Sequence, residues 1–124
     1  MKIHPDNIGV QSISGYGPGW ISVSGERLCT SVVIGSRGER FEWNCNRFED
    51  LGAAHFELLA ELNPELVIFG SGNRIRFPRP DWIKPLIERQ TGVETMDTQA
   101  ACRTYNILAA EGRTVLVALL IEST

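Results

Sequence analysis

Two segments of this chain carry residues with the means to hold an anion. Gly70-Ser71-Gly72-Asn73-Arg74 sets two glycines beside an arginine, and Met96-Asp97-Thr98 leads into Ala101-Cys102-Arg103-Thr104-Tyr105-Asn106. Glycines let backbone amides approach a bound oxygen, a helix start favours negative charge, and a guanidinium offers a planar fork to carboxylate or phosphate. Gly70, Gly72, Arg74, Thr98, Arg103 and Asn106 are therefore the candidate ligand-binding residues, with Arg76 and Arg79 adding local positive charge. The glycine pair falls short of two established patterns. Position 75 is Ile, so the third glycine of a dinucleotide fingerprint is missing, and no Gly-Lys-Ser/Thr follows as in a P-loop. A glycine pair after a strand is more often a tight turn, and Arg103 serves equally well bonding loop carbonyls or pairing with Asp97 or Glu111.

The other reactive side chains form no constellation. Cys102 falls in the first turns of a predicted helix, where the macrodipole favours a thiolate. A nucleophile also needs a base, and the two histidines, His4 and His55, are remote in sequence; a buried, inert cysteine is the simpler reading. His55 lies on an apolar helical stripe and reads as a hydrogen-bonded core histidine. Three dispersed cysteines (Cys29, Cys45, Cys102) and two histidines make no zinc set, so no metal and no cofactor is expected. Glu94 and Asp97 suit an acid/base pair, but strand-end and N-cap roles account for both. Arg76-Phe77-Pro78-Arg79-Pro80-Asp81-Trp82 interleaves basic and aromatic residues as a nucleic-acid loop does. The chain's acidic balance points instead to a mobile or docking loop.

These segments must be positioned by a fold, and periodicity supplies one. Residues 8–14 read as a weak strand ended by the turn Gly15-Tyr16-Gly17-Pro18-Gly19, and residues 20–23 form the next strand before a Ser24-Gly25 turn. Residues 27–34 alternate as one strand with both faces partly covered, and a turn at Ser36-Arg37-Gly38 leads to a short strand around Phe41 and Trp43. Asn46, three residues before Glu49, predicts an N-capped helix over 46–63, with Phe48, Leu51, His55, Leu58, Leu59 and Leu62 as its apolar stripe and Pro64 beyond its end. Glu49, Asp50, Glu57 and Glu61 make its other face acidic, a solvated surface or a docking surface. A strand at 66–69, a helix at 81–90, a strand at 93–96, a helix capped by Asp97 or Thr98 and stopped by Gly112, and a buried strand at 114–121 then follow. Strand and helix alternating at these lengths imply right-handed crossovers and a parallel core. The expected fold is α/β: a single domain, 1–124, with a mixed central β-sheet and flanking helices. Its parts are antiparallel hairpins (1–45), a helix (46–63) and a β-α-β-α-β unit (64–124). In such sheets ligands bind beyond the carboxyl ends of the strands, where the two segments named first should meet.

Composition bounds the partners. The 124 residues carry 12 basic and 15 acidic side chains, a net charge of -3, which argues against nucleic acid. The longest apolar run, residues 115–121, is far below the roughly 20 residues of a membrane-spanning helix. The first ten residues show neither a signal-peptide core nor an Arg-rich transit pattern. With an odd cysteine count, the expectation is a cytoplasmic protein with reduced thiols and no membrane insertion.

The C-terminal half resembles a known family. Leu66-Val67-Ile68-Phe69-Gly70-Ser71-Gly72-Asn73-Arg74, Gly92-Val93-Glu94-Thr95-Met96, and Ala101-Cys102-Arg103-Thr104-Tyr105-Asn106 running on to Glu111-Gly112-Arg113 look like the small domain-of-unknown-function family shared by bacteria, archaea and eukaryotes. Its members include a mitochondrial assembly factor of respiratory complex I and the adipogenesis-associated domain protein. The likeness is close over residues 60–121; Ser71 stands where the family pattern has Thr, and Asn73 where it has Glu or Asp. The resemblance implies a compact α/β domain with a mixed sheet, no established enzymatic activity, and work as an accessory that binds other proteins. Two functions remain open. One is a non-enzymatic binding or assembly module acting through protein contacts, with Phe77, Trp82 and Trp20 as candidate apolar contacts and a homodimer allowed by strand pairing at an exposed hairpin edge. The other is a binder of a small anionic metabolite or cofactor at the 70–74 loop and the 103–106 helix start, with a reaction there left open.

Overall fold

The chain builds two sheets that share one core. The structure, a computed structural model, describes residues 10–122; His4 and the first residues of the expected 8–14 strand lie outside them. β1 (Ile13–Gly17), β2 (Trp20–Val23) and β3 (Glu26–Leu28) form a three-stranded antiparallel sheet. β4 (Val32–Gly35), β5 (Arg40–Glu42), β6 (Leu66–Gly70), β7 (Gly92–Met96) and β8 (Val115–Leu119) form a five-stranded sheet in the order β5-β4-β8-β6-β7. Within it β6 runs parallel to β7 and β8, while β4 is antiparallel to β5 and β8. The helices are α1 (Ala53–Ala60), α2 (Pro80–Glu88) and α3 (Thr98–Ala110). This is the expected mixed α/β domain, and the apolar run near the C-terminus is its central strand, buried on both faces.

Each face of the large sheet has its own cover. On one side Val32, Ile34, Ile68, Val117 and Leu119 pack under α3 and the small sheet, through Ala101, Cys102, Tyr105, Ile21 and Val23. On the other, Val33, Val67, Phe69 and Leu116 pack under α1 and α2. Trp43, Phe56 and Phe69 meet edge to face there, with ring centroids 5.5 to 5.9 Å apart. Fully burying one such ring is worth about 3 kcal/mol, so this cluster holds α1 on the sheet, and Trp82 of α2 stacks on Phe56 with ring centroids 6.2 Å apart.

Three expectations need correction. Gly15 and Gly17 do not end the first strand; they belong to β1, and the turn is confined to Pro18 and Gly19. The physical reason is the Trp20 indole, which lies against this strand: a Cβ on Gly17 would stand 2.5 Å from its Nε1. Residues 27–34 are two strands rather than one. The chain breaks at Cys29-Thr30-Ser31 to pass from the small sheet to the large one, and Ser31 ties the crossing by accepting the Ile121 N–H at 2.9 Å. The helix expected over 46–63 is a 3₁₀ turn, Phe48–Asp50, followed by α1 beginning only at Ala53. Asp50 accepts the Asn46 and Arg47 amides, both at 3.1 Å, which closes the turn and keeps Asn46 from capping a longer helix. The buried residues of α1 are therefore Phe56, Leu59 and Ala60, with Leu58 and Leu62 only half-buried at the rim of that core.

Candidate functional site

The two segments singled out by residue type do meet at the carboxyl end of the parallel strands. The Gly72 N–H donates to Thr98 Oγ1 (2.8 Å), Thr98 Oγ1 donates to the Leu120 carbonyl (2.8 Å), and the Thr98 N–H donates to the Gly72 carbonyl (2.9 Å). Asp97 caps α3 by accepting the Ala100 amide at 2.9 Å. Gly70 lets β6 pass beneath the helix start: a Cβ there would lie 2.9 Å from Leu119 Cδ2 and 3.1 Å from the Thr98 Cα. Gly72 turns the chain at φ +101°, a conformation that side-chain-bearing residues rarely adopt.

The 70–76 loop is tied to itself. Ser71 Oγ donates to the Arg74 carbonyl and accepts the Arg76 amide, both at 2.8 Å. The Arg76 guanidinium donates to the Ser71 carbonyl at 2.7 and 3.1 Å and forms an ion pair with Glu122. It also lies over the Phe48 ring, 4.8 Å from the centroid. Arg76 thus spends its charge on the loop and on Glu122.

A cleft of about 280 Å³ opens beside this junction, between the β1–β2 turn and the start of α3. Gly17, Trp20, Gly72, Asn73, Thr98 and Glu122 are among its lining residues. Of the six candidates, Gly72 and Thr98 reach it; Gly70 lies beneath the junction, and neither Arg74 nor Arg103 lines it. Both ionisable side chains in the lining, Asp97 and Glu122, are acids. Arg74 is exposed on the loop. Arg103 is exposed one turn into α3 and donates to the Tyr16 hydroxyl at 3.0 Å, rather than to loop carbonyls, Asp97 or Glu111. Asn106 faces β1: the Ile13 N–H donates to its Oδ1 (3.0 Å) and its Nδ2 donates to the Ile13 carbonyl (2.8 Å). Among the described residues β1 has no strand on that side, and Asn106 stands in for one.

Cys45, Cys102 and His55 are taken up by the fold, while Cys29 is exposed. Cys102 is fully buried, and burial pushes its thiol up to about 12; burial likewise raises Cys45 to about 11. A thiol so raised is no nucleophile at neutral pH. Both His55 nitrogens are engaged, Nδ1 accepting the Gly52 amide (3.1 Å) and Nε2 set against the Asn44 carbonyl (2.7 Å). Among the described residues no group of three or more His, Cys, Asp or Glu is placed to hold a metal, and no helix is long and apolar enough to cross a membrane.

A second surface lies on the far side of the large sheet's β7 edge. Phe77, 70% exposed, and Ile87, 57% exposed, line a shallow groove with Pro78, Ile83, Val93 and Thr95. Of the three aromatic residues expected at a contact surface, Phe77 is there. Trp82 is buried against Phe48 and Phe56, and Trp20 is half-buried under Arg27, 3.9 Å from its ring. The sequence reading missed Ile87. Its signal was a second apolar pair at helical spacing, Ile83 and Ile87, beside the buried pair Trp82 and Leu86.

These features define a small mixed α/β domain with a polar cleft at one end of its parallel strands and an apolar groove at one sheet edge. The chain belongs to the family described as "Protein of unknown function (DUF498/DUF598)", whose model matches residues 13–120. It is 35% identical over 81 residues to the Bos taurus NADH dehydrogenase (ubiquinone) 1 alpha subcomplex assembly factor 3, a match covering 64% of this chain and 44% of that protein. It is 30% identical over 67 residues to the 13 kDa major membrane protein of Francisella tularensis subsp. holarctica, covering 54% of each. Among solved structures, a Bordetella parapertussis protein superposes with a TM-score of 0.86 at 39% identity, covering 92% of this chain and 98% of the other. A Bordetella pertussis protein described as a Mth938-like domain gives 0.83 at 33% identity, covering 99% and 94%. The chain spans less than half the length of the assembly factors it matches.

Proposed function

We propose that this domain is a non-enzymatic binding or assembly-accessory module that acts by holding a partner protein. The observation that carries the reading is the pair Phe77 and Ile87, large apolar side chains left in solvent together along one groove. Water-exposed apolar patches rimmed by polar residues mark contact surfaces. The relationship to a protein named as an assembly factor supports the same reading, as do the buried thiols and the fully engaged histidine. The test is affinity capture from a native lysate with wild type and with Phe77→Ser/Ile87→Ser in parallel. A stoichiometric partner held by wild type and lost by the double variant is expected. A wild-type chain that returns no stoichiometric partner under gentle salt overturns the reading.

The alternative, a small anionic metabolite bound near Gly72 and Thr98, draws support from the cleft and the α3 start. The acids Asp97 and Glu122 in the lining, and the engagement of Arg76 and Arg103 elsewhere, favour the protein-binding reading. A thermal-shift series with phosphate, nucleotides and metabolite carboxylates tests it: a ligand at a hundred times its Kd adds about 2.7 kcal/mol. A flat response across the panel rejects it.

A further inference from the structure

We infer that the outer edge of β7 takes up an extended strand from a partner protein, one whose apolar residues flank a basic residue. The inference rests on the protein-binding reading and adds the place and chemistry of the contact.

β7 is an edge strand, with β6 on one side and, among the described residues, no strand on the other. Its main-chain direction follows from its ends. The Gly92 N–H donates to the Glu65 carbonyl (3.0 Å), and the Met96 carbonyl accepts the Ser71 amide (2.9 Å). Gly92, Glu94 and Met96 therefore turn their backbone groups toward β6, and Val93 and Thr95 turn theirs outward. That leaves two N–H donors and two carbonyl acceptors in a row, the template that strand addition uses.

Side chains alternate across the same strand. Val93 packs toward the α2 side of the sheet, so Thr95 shares that face, while Met96 packs on the α3 side and Glu94 shares that one. An added strand would set the side chains opposite Val93 and Thr95 beside Phe77, Ile83 and Ile87, which calls for apolar residues. The side chain between them would face Glu94, which is exposed and makes no ion pair among the described residues. A cation fits there.

Glu94 also argues against a second copy of this chain. The antiparallel register that pairs both outward residues, Val93 with Thr95 and Thr95 with Val93, sets Glu94 directly across from Glu94. Directly opposed residues of this kind have Cα atoms about 4.5 Å apart, and like charges so placed repel. Shifting the register by two brings in Thr91, whose amide is bonded to the Leu86 carbonyl (2.9 Å), or Asp97, the α3 cap.

The experiment is selection of a random dodecapeptide display library on the wild-type chain, followed by binding and amide hydrogen exchange with the selected peptides. Peptides alternating apolar residues around one Lys or Arg are expected, with the Val93 and Thr95 amides gaining protection. Thr95→Pro removes one outward donor at a position where an edge strand accepts proline, and Ile87→Asp spoils the groove without touching the edge. Each is expected to weaken binding at least tenfold. Glu94→Lys should do the same and be rescued by peptides carrying Glu in place of the cation. No enrichment overturns the inference, as do peptides that bind Thr95→Pro and Ile87→Asp as tightly as wild type. A dimer of the wild-type chain that Thr95→Pro dissociates overturns it in favour of self-pairing. A captured partner retained by Thr95→Pro and Glu94→Lys leaves the protein-binding reading standing and removes only the edge.

Discussion

Replacing Asn106 and Arg103 by alanine separates a fold-holding residue from a surface one on the same helix. The carboxamide of Asn106 exchanges two hydrogen bonds, at 3.0 and 2.8 Å, with the main chain of Ile13, which is buried. Alanine removes both bonds and strands an N–H and a C=O away from water. Each lost bond is worth about 1 kcal/mol, and a buried group left unpaired costs about 1 to 3 kcal/mol. Some relaxation of β1 toward solvent offsets part of this, so the expected loss is about 2 to 4 kcal/mol. With a urea slope of about 2 kcal/mol per molar for a domain of this size, the unfolding midpoint should fall by about 1 to 2 M. Arg103→Ala gives up one bond to the Tyr16 hydroxyl at an exposed position, and its unfolding midpoint should stay close to that of wild type. Paired urea titrations followed by circular dichroism and tryptophan fluorescence decide it. Equal losses for the two variants, or a loss below about 0.5 kcal/mol for Asn106→Ala, refute the account of how α3 holds β1.

Gly70→Ala should cost about 1 to 3 kcal/mol in a urea titration, because its methyl would stand 2.9 Å from Leu119 Cδ2 and 3.1 Å from the Thr98 backbone. An alkylating reagent at neutral pH should label Cys29, which is exposed, and spare Cys45 and Cys102; mass spectrometry of the intact chain reads one adduct. The thiols also set an alkaline limit. Burial raises Cys45 to about 11 and Cys102 to about 12 from 9.0, so the unfolded chain releases protons that the folded chain keeps. Their contribution is whole below about pH 9 and falls by about 1.4 kcal/mol per pH unit per thiol until the folded values are reached. Removing one thiol by Cys102→Ala should make the stability of the variant fall less steeply than that of wild type between pH 9 and 11, measured by urea titration at each pH.

Elements with a strong local signal were legible in the residues alone. The run ending at Ile121 reads as a strand buried on both faces, and Asp97 and Gly112 bracket α3 by their capping chemistry. Ser24 and Gly25 turn the β2–β3 hairpin with positive φ at both positions, as a two-residue turn requires. The failures have tertiary causes. Gly17 looks like a turn residue until the Trp20 ring occupies the space its side chain would need. An alternating stretch from Arg27 to Ile34 says nothing of a change of sheet at Ser31. The meeting of Gly72 with Thr98 followed from the topology of parallel strands, but the partners of Asn106 and Arg103 are set by β1, which lies about 90 residues away along the chain. The outer place of β7 was likewise hidden, because a strand-helix alternation gives the order of strands along the chain and not across the sheet.

The central claim is that the groove beside β7 is where this domain meets another protein. A photo-crosslinking residue at position 77, compared with the same residue at Ser24 in the small sheet, tests it most directly. The account predicts one dominant adduct from position 77 in a native lysate, absent from position 24 and lost when Ile87→Asp is added. Adducts of equal yield from both positions, or none from position 77, contradict it.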